Sequence, residues 1–130
     1  MANELILVVE DDDGNRMLVR DVLTFSGYRV LEAETAEAGL ELAREKHPAL
    51  ILMDIRLPGM DGVAALAELR RDPATRRIPV IAVTASTMSQ HRGQIVAAGF
   101  DDYHGKPIDI ARLVASVGEL LARDASATAR

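Results

Sequence analysis

The sequence contains no cysteine and no tryptophan. Without thiols there is no disulfide, no thiolate metal site and no thiol nucleophile, a pattern that fits a reducing compartment. The aromatic side chains are Phe25, Tyr28, Phe100 and Tyr103, too few for a ring-lined cofactor pocket or a base-stacking platform. No run approaches the roughly 18 uninterrupted apolar residues of a membrane span. Met1-Ala2-Asn3-Glu4 lacks the basic start of a secretory signal, so a cytoplasmic protein without membrane insertion is expected. Excess positive charge is also missing. Twenty acidic residues against 15 basic ones give a formal charge of −5, which does not favour direct contact with nucleic acid. What remains is 130 residues, 48% hydrophobic and 27% charged, enough for one core and too few for two.

Short apolar runs alternate with longer stretches of helical spacing. The runs are Leu5–Val9, Tyr28–Leu31, Leu50–Met53 and Val80–Val83, near-continuous in Val, Ile and Leu as strands buried on both faces should be. Helical spacing appears in Leu18, Val19, Val22 and Leu23, then in Ala36, Leu40 and Ala43, and again in Val63, Leu66 and Leu69. A fourth helix is expected from about Ser86 to Ala98, stopped by Gly99. A weak fifth strand falls at Asp102–His104. The last helix carries Ile110, Leu113, Val114, Val117 and Leu121, with Asp109 placed to cap it and an end near Ala122. Residues 1–123 then form one domain, and 124–130 a small, polar, frayed tail. Five strand–helix repeats read as an α/β fold with a parallel sheet and helices on both faces.

In such sheets ligands bind outside the carboxyl ends of the strands. The first run is followed there by Glu10-Asp11-Asp12-Asp13, the third by Asp54 and the fourth by Thr84, while the fifth leads into Gly105-Lys106-Pro107. Each has a plainer reading alone. Acids after a strand suit a helix N-terminus, an Asp suits a turn, a Thr suits a strand, and a Lys suits the surface. Their joint order points further. Crowded carboxylates repel, and a divalent cation relieves them; magnesium suits an all-oxygen set that leaves room for phosphate. A carboxylate such as Asp54 is a competent nucleophile toward phosphorus. Lys106 and the Thr84 hydroxyl would help to neutralise the transferred group.

The motifs Val8-Val9-Glu10-Asp11, Leu52-Met53-Asp54-Ile55-Arg56-Leu57-Pro58-Gly59-Met60-Asp61-Gly62, Val83-Thr84-Ala85 and Gly99 through Tyr103 to Lys106-Pro107 occur in one order across residues 4 to about 122. In these the sequence resembles the receiver domain of two-component response regulators, most closely the stand-alone receivers of chemotaxis and cell-cycle signalling. The resemblance implies a flavodoxin-like doubly wound (βα)5 sandwich with strand order 2-1-3-4-5. It implies Asp54 as phosphoacceptor, and magnesium held by Glu10, Asp11, Asp54 and the backbone carbonyl of Arg56. It implies Lys106 and Thr84 as partners of the phosphoryl group, Thr84 and Tyr103 as the moving switch, and a cis peptide before Pro107. The acidic pair is Glu-Asp, a common family variant. Arg56 and Ser86 occupy positions that in the family tune the lifetime of the phosphorylated form.

The function so implied is a single-domain response regulator and phosphoprotein, not an enzyme beyond its own phosphorylation and slow dephosphorylation. The donor is a sensor histidine kinase or a histidine phosphotransfer protein. The output is binding of a downstream protein target by the fourth helix, fifth strand and fifth helix, with the loop Ala85–Gln90 and homodimerisation on phosphorylation as further expectations. A phosphate-independent adaptor, a phosphate sink and a receiver segment of a larger regulator or hybrid kinase are the alternatives. The Met start and polar tail favour a stand-alone chain. Other motifs fail. Asp11-Asp12-Asp13-Gly14-Asn15 places Val9 at position one of a calcium loop, and a single Gly14 is not the dinucleotide fingerprint. The absence of tryptophan and the acidic first loop argue against a flavin carrier, which would share the fold. Arg56 stands where a haloacid-dehalogenase-type phosphatase needs its second acid. His47, His91 and His104 lack metal-ligand spacing, and Arg70-Arg71 with Arg76-Arg77 reads as a solvated helix end.

Overall fold

The computed structural model describes residues 3–84 and 89–128. Strands and helices alternate as β1 (Leu5–Val9), α1 (Asp13–Phe25), β2 (Arg29–Ala33), α2 (Ala36–Lys46), β3 (Leu50–Asp54), α3 (Gly62–Arg71), β4 (Val80–Thr84), α4 (Ser89–Ala98), β5 (Asp102–Gly105) and α5 (Ile110–Thr128). All pairings are parallel, and the sheet order is β2-β1-β3-β4-β5. The central strands β3 and β4 are buried along their whole length, which is why each reads as an unbroken apolar run.

Alternation along the strands divides the core in two. Leu7, Val9, Ile51, Met53, Val80 and Ala82 face α2, α3 and α4, where they meet Leu40, Leu66, Leu69 and Ile95. Ile6, Val8, Leu50, Leu52, Ile81 and Val83 face the other way, toward Val19 and Leu23 of α1 and Leu113, Val117 and Leu121 of α5. Helix starts are set by side-chain caps. Asp12, Thr35, Asp61 and Asp109 accept from the backbone N–H three residues on, at 2.8, 3.1, 2.8 and 3.2 Å, each a contact of about 1 kcal/mol. α4 gives way at Gly99, whose φ of +105° an L side chain rarely adopts.

Two elements differ from the sequence expectation by more than one residue. β2 runs Arg29–Ala33 instead of Tyr28–Leu31. It is an edge strand, and pairing with β1 carries it through polar Glu32 to Ala33, where the apolar run has already stopped. α5 continues to Thr128, beyond the end expected near Ala122. Asp124-Ala125-Ser126-Ala127-Thr128 has neither Gly nor Pro to stop it. α4 begins at Ser89. The expected start at Ser86 lies outside the described residues.

Candidate functional site

The order of the strands decides which loops meet. α1 and α2 pack on opposite faces, so the chain leaves β1 in one direction and re-enters at β3 beside it. The carboxyl ends of β1 and β3 flank this switch point, the place where a crevice opens in such sheets. Glu10 and Asp11 follow β1 directly, and Asp54 closes β3. One carboxylate oxygen from each of Glu10, Asp11 and Asp54 lies within 4.8 Å of the others, an all-oxygen group with the hard donors a divalent cation takes. Asp11 is exposed, whereas Glu10 and Asp54 are only 3% and 4% exposed.

Lys106 reaches this group from the end of β5. Its Nζ stands 3.0 Å from Asp54 Oδ2 and 3.0 Å from Glu10 Oε1, so one ammonium bridges both buried acids. The backbone brings it there: Lys106 N–H donates to the Thr84 carbonyl at 2.8 Å, and the following Lys106–Pro107 peptide is cis. Burial pushes the Glu10 carboxyl up to about 7, and the adjacent Asp54 adds to this, against the opposing pull of Lys106 and the Asp12 N–H. Burial alone would lower the Lys106 ammonium, but its hydrogen bonds to Glu10 and Asp54 prevail and hold it above the ordinary lysine range.

Asp54 is fixed on its other oxygen. The Arg56 N–H donates to Asp54 Oδ1 at 3.0 Å, and Ile55 N–H donates to the Val83 carbonyl at 2.9 Å. The Arg56 side chain itself is exposed. Thr84 is buried at the end of β4, and Tyr103, on β5, packs half-buried against the α2–α3–α4 core. The structure therefore brings Glu10, Asp11, Asp54, Arg56, Thr84 and Lys106 to one rim. Tyr103 stands one strand away from Ala82, two residues before Thr84. Residues 85–88, which include Ala85 and Ser86, lie outside the described residues, and Ser89 and Gln90 already belong to α4.

Two supporting residues had escaped the sequence reading. A Cβ on Gly62 would stand 2.6 Å from the Asp54 carbonyl oxygen and 2.9 Å from Ile55 Cα, so only glycine lets α3 start against the end of β3. The one sign of it in the sequence is its place after the capping Asp61. Arg16 donates to the Glu10 carbonyl at 2.9 Å and pairs with Asp13 and Glu32, tying the first turn of α1 to the ends of β1 and β2. An arginine three residues after Asp13 on a helix is the local signal it leaves. His104 is buried, with its Nε2 2.8 Å from the Ser116 hydroxyl, which donates in turn to Asp102.

The profile of the response regulator receiver domain matches residues 6–118. The chain belongs to the response regulator receiver family. This receiver is 40% identical over 116 residues to the polar-differentiation response regulator DivK of Brucella ovis, covering 89% of this chain and 94% of that one. Among solved structures it resembles the receiver domain of sensor histidine kinase PA1611 from Pseudomonas aeruginosa PAO1, which has a magnesium ion coordinated in the active site cleft. The identity is 34% and the TM-score 0.86, over 93% of this chain and 99% of that one. The receiver domain of Francisella response regulator 1452 is 26% identical with a TM-score of 0.88, over 94% and 99% of the two chains. The two-component family, the fold and the strand order expected from the sequence are all found. Among the described residues no helix is long and apolar enough to cross a membrane.

Proposed function

We propose that this receiver is a phosphorylation switch of the single-domain kind. It accepts a phosphoryl group on Asp54 from a sensor histidine kinase or a histidine phosphotransfer protein. The observation that carries the reading is Lys106 bridging Asp54 and Glu10 beside exposed Asp11. This is a nucleophile held next to a cation and an all-oxygen donor set. An Asp54 carboxylate oxygen attacks phosphorus, the phosphorus–nitrogen bond of the phosphohistidine breaks, and its electron pair returns to the imidazole. Glu10, Asp11, Asp54 and the Arg56 carbonyl would hold magnesium, which when bound neutralises charge on the transferring group. Lys106 then pairs with the new phosphoryl oxygens.

The Thr84 hydroxyl turns to hydrogen-bond the phosphoryl group and Tyr103 follows inward, which changes the face made by α4, β5 and α5. A downstream protein binds that altered face, and the same face serves homodimerisation of the phosphorylated form. The free protein already samples the active form, and phosphate shifts the balance. A differential of about 3 kcal/mol suffices to move it from mostly inactive to mostly active. Charge-assisted contacts of a dianion with Lys106 and Thr84 are of that size. Residues 1–123 do this work in the cytoplasm, and there is no turnover beyond slow hydrolysis of the aspartyl phosphate, whose lifetime Arg56 and Ser86 tune.

The test is intact mass after incubation with acetyl phosphate or with a phosphorylated histidine phosphotransfer protein, with and without magnesium. Gain of one phosphoryl group that needs magnesium and is absent in Asp54→Asn supports the proposal. No gain from either donor overturns it. Partner capture with both forms then separates a switch from a sink, since a sink binds its target equally in each state.

A further inference from the structure

At the edge of the sheet opposite the phosphorylation rim, the amino end of β4 opens into a cleft of about 470 Å3, within the size range of small-molecule sites. Arg70, Arg76, Arg77 and Arg123 line it, with Asp101 the one acid among them. Such a gathering is unexpected in a chain with a formal charge of −5. Arg70 has a structural task. Its guanidinium donates to the carbonyls of Arg76 and Ile78 at 3.0 and 2.7 Å and pairs with Asp101 at 3.0 Å. One oxygen of Asp101 is held by this arrangement, since the same Oδ2 also accepts from the Val80 N–H at 2.8 Å. Binding the carbonyls of the α3–β4 connection and pairing with Asp101 accounts for Arg70. The side chains of Arg76, Arg77 and Arg123 make no hydrogen bond or ion pair among the described residues.

We propose that this cleft is a binding site for a compact polyphosphate anion, a molecule carrying two or more linked phosphate groups. Three guanidiniums without a partner among the described residues line one space, beside a fourth that backbone carbonyls hold in place. Planar guanidinium groups match phosphate oxygens two at a time. The density of positive charge suits linked phosphates better than a single carboxylate, and the volume suits a small molecule. The cleft is separate from Asp54, so its occupant would act as a second input. It would press on the α3–β4 and α4–β5 connections that Arg70 and Asp101 tie together.

The test is calorimetric titration with inorganic tripolyphosphate in magnesium-free buffer, where the acidic rim repels the probe. Wild type is compared with the double variant Arg76→Glu, Arg77→Glu. Saturable one-to-one binding is expected, weakened about tenfold or more in the double variant and weakened further by added salt. The variant's circular dichroism and Asp54 phosphorylation should match wild type, which separates loss of the site from loss of the fold. Absence of saturable binding overturns the proposal, as does unchanged affinity in the folded variant. Tighter binding of a polyglutamate peptide than of tripolyphosphate would also overturn it, because the cleft would then belong to an acidic protein segment.

Discussion

Replacing Gly62 with alanine sets two effects of opposite sign against each other. Gly62 is the first residue of α3, and glycine in a helix costs about 0.5–1 kcal/mol relative to alanine. Helix propensity alone therefore forecasts a more stable protein. The packing forecasts the reverse. The new Cβ would sit 2.6 Å from the Asp54 carbonyl oxygen where ordinary contact starts near 3.4 Å, so the backbone must yield by about 0.8 Å. No flexible side chain is available to move, since the nearest atoms all belong to the backbone of Asp54 and Ile55. Overpacking of this kind costs about 1–3 kcal/mol, and so close an approach to backbone belongs in the upper half of that range, which leaves a net destabilisation of about 1–2.5 kcal/mol, or roughly 4–9 °C in Tm. Gly118→Ala in α5 is the control. Nothing lies within 4 Å of its added Cβ, so the same substitution should stabilise by about 0.5–1 kcal/mol. Urea unfolding followed by far-ultraviolet circular dichroism measures both, since there is no tryptophan to report. Because the displaced carbonyl belongs to Asp54, Gly62→Ala should also slow phosphorylation. Equal or greater stability of Gly62→Ala would refute the steric reasoning.

Lys106→Met removes the cation shared by two buried acids. It should destabilise the metal-free protein by about 2 kcal/mol, a loss that magnesium largely restores; an unchanged urea midpoint would show that the bridge is not needed. The pH dependence of stability contains two opposed contributions. Glu10 has its folded pKa raised from 4.5 to about 7, so between those values the folded state binds more protons and stability falls as pH rises. Glu10→Gln should flatten that slope in metal-free buffer. His104 has its folded pKa lowered below 6.5, chiefly by burial, so its contribution is present above 6.5 and is lost as pH falls below it. The stability difference between wild type and His104→Leu, measured by urea melts across this range, should therefore shift in favour of the variant toward acid. Asp61→Ala removes the 2.8 Å cap on Ala64 N–H and should cost about 1 kcal/mol in the same assay.

What was legible in the sequence follows what each signal physically reports. β3 and β4 could be read because burial on both faces forces every residue apolar. β2 was misplaced because this edge strand exposes Arg29 and Glu32, and its extent is fixed by pairing with β1 instead of by hydrophobicity. The helix cap at Asp109 was visible because capping is local in sequence, whereas the end of α5 was not, since alanine-rich chain contains no stop. The rim acids, Thr84 and Lys106 were found because chain order and the parallel-sheet rule place strand ends together. The role of Gly62 depends on a 2.6 Å approach between segments, and that of Arg16 on a bond to a carbonyl, which no residue pattern announces.

The strand order leaves β2 and β5 as the two free margins of the sheet, and exposed margins invite neighbouring chains to add strands and aggregate. Both margins are blunted. On β5 the Asp102 carboxylate accepts from the Tyr103 N–H at 2.8 Å, using up a main-chain donor, and the strand stops after four residues, just before the Lys106–Pro107 bend. On β2 the charged Arg29 and Glu32 interrupt the apolar surface, with Glu32 engaged by Arg16 and Arg20. Here the sheet that builds the reactive rim is closed to growth at each side, which leaves the helices to govern association.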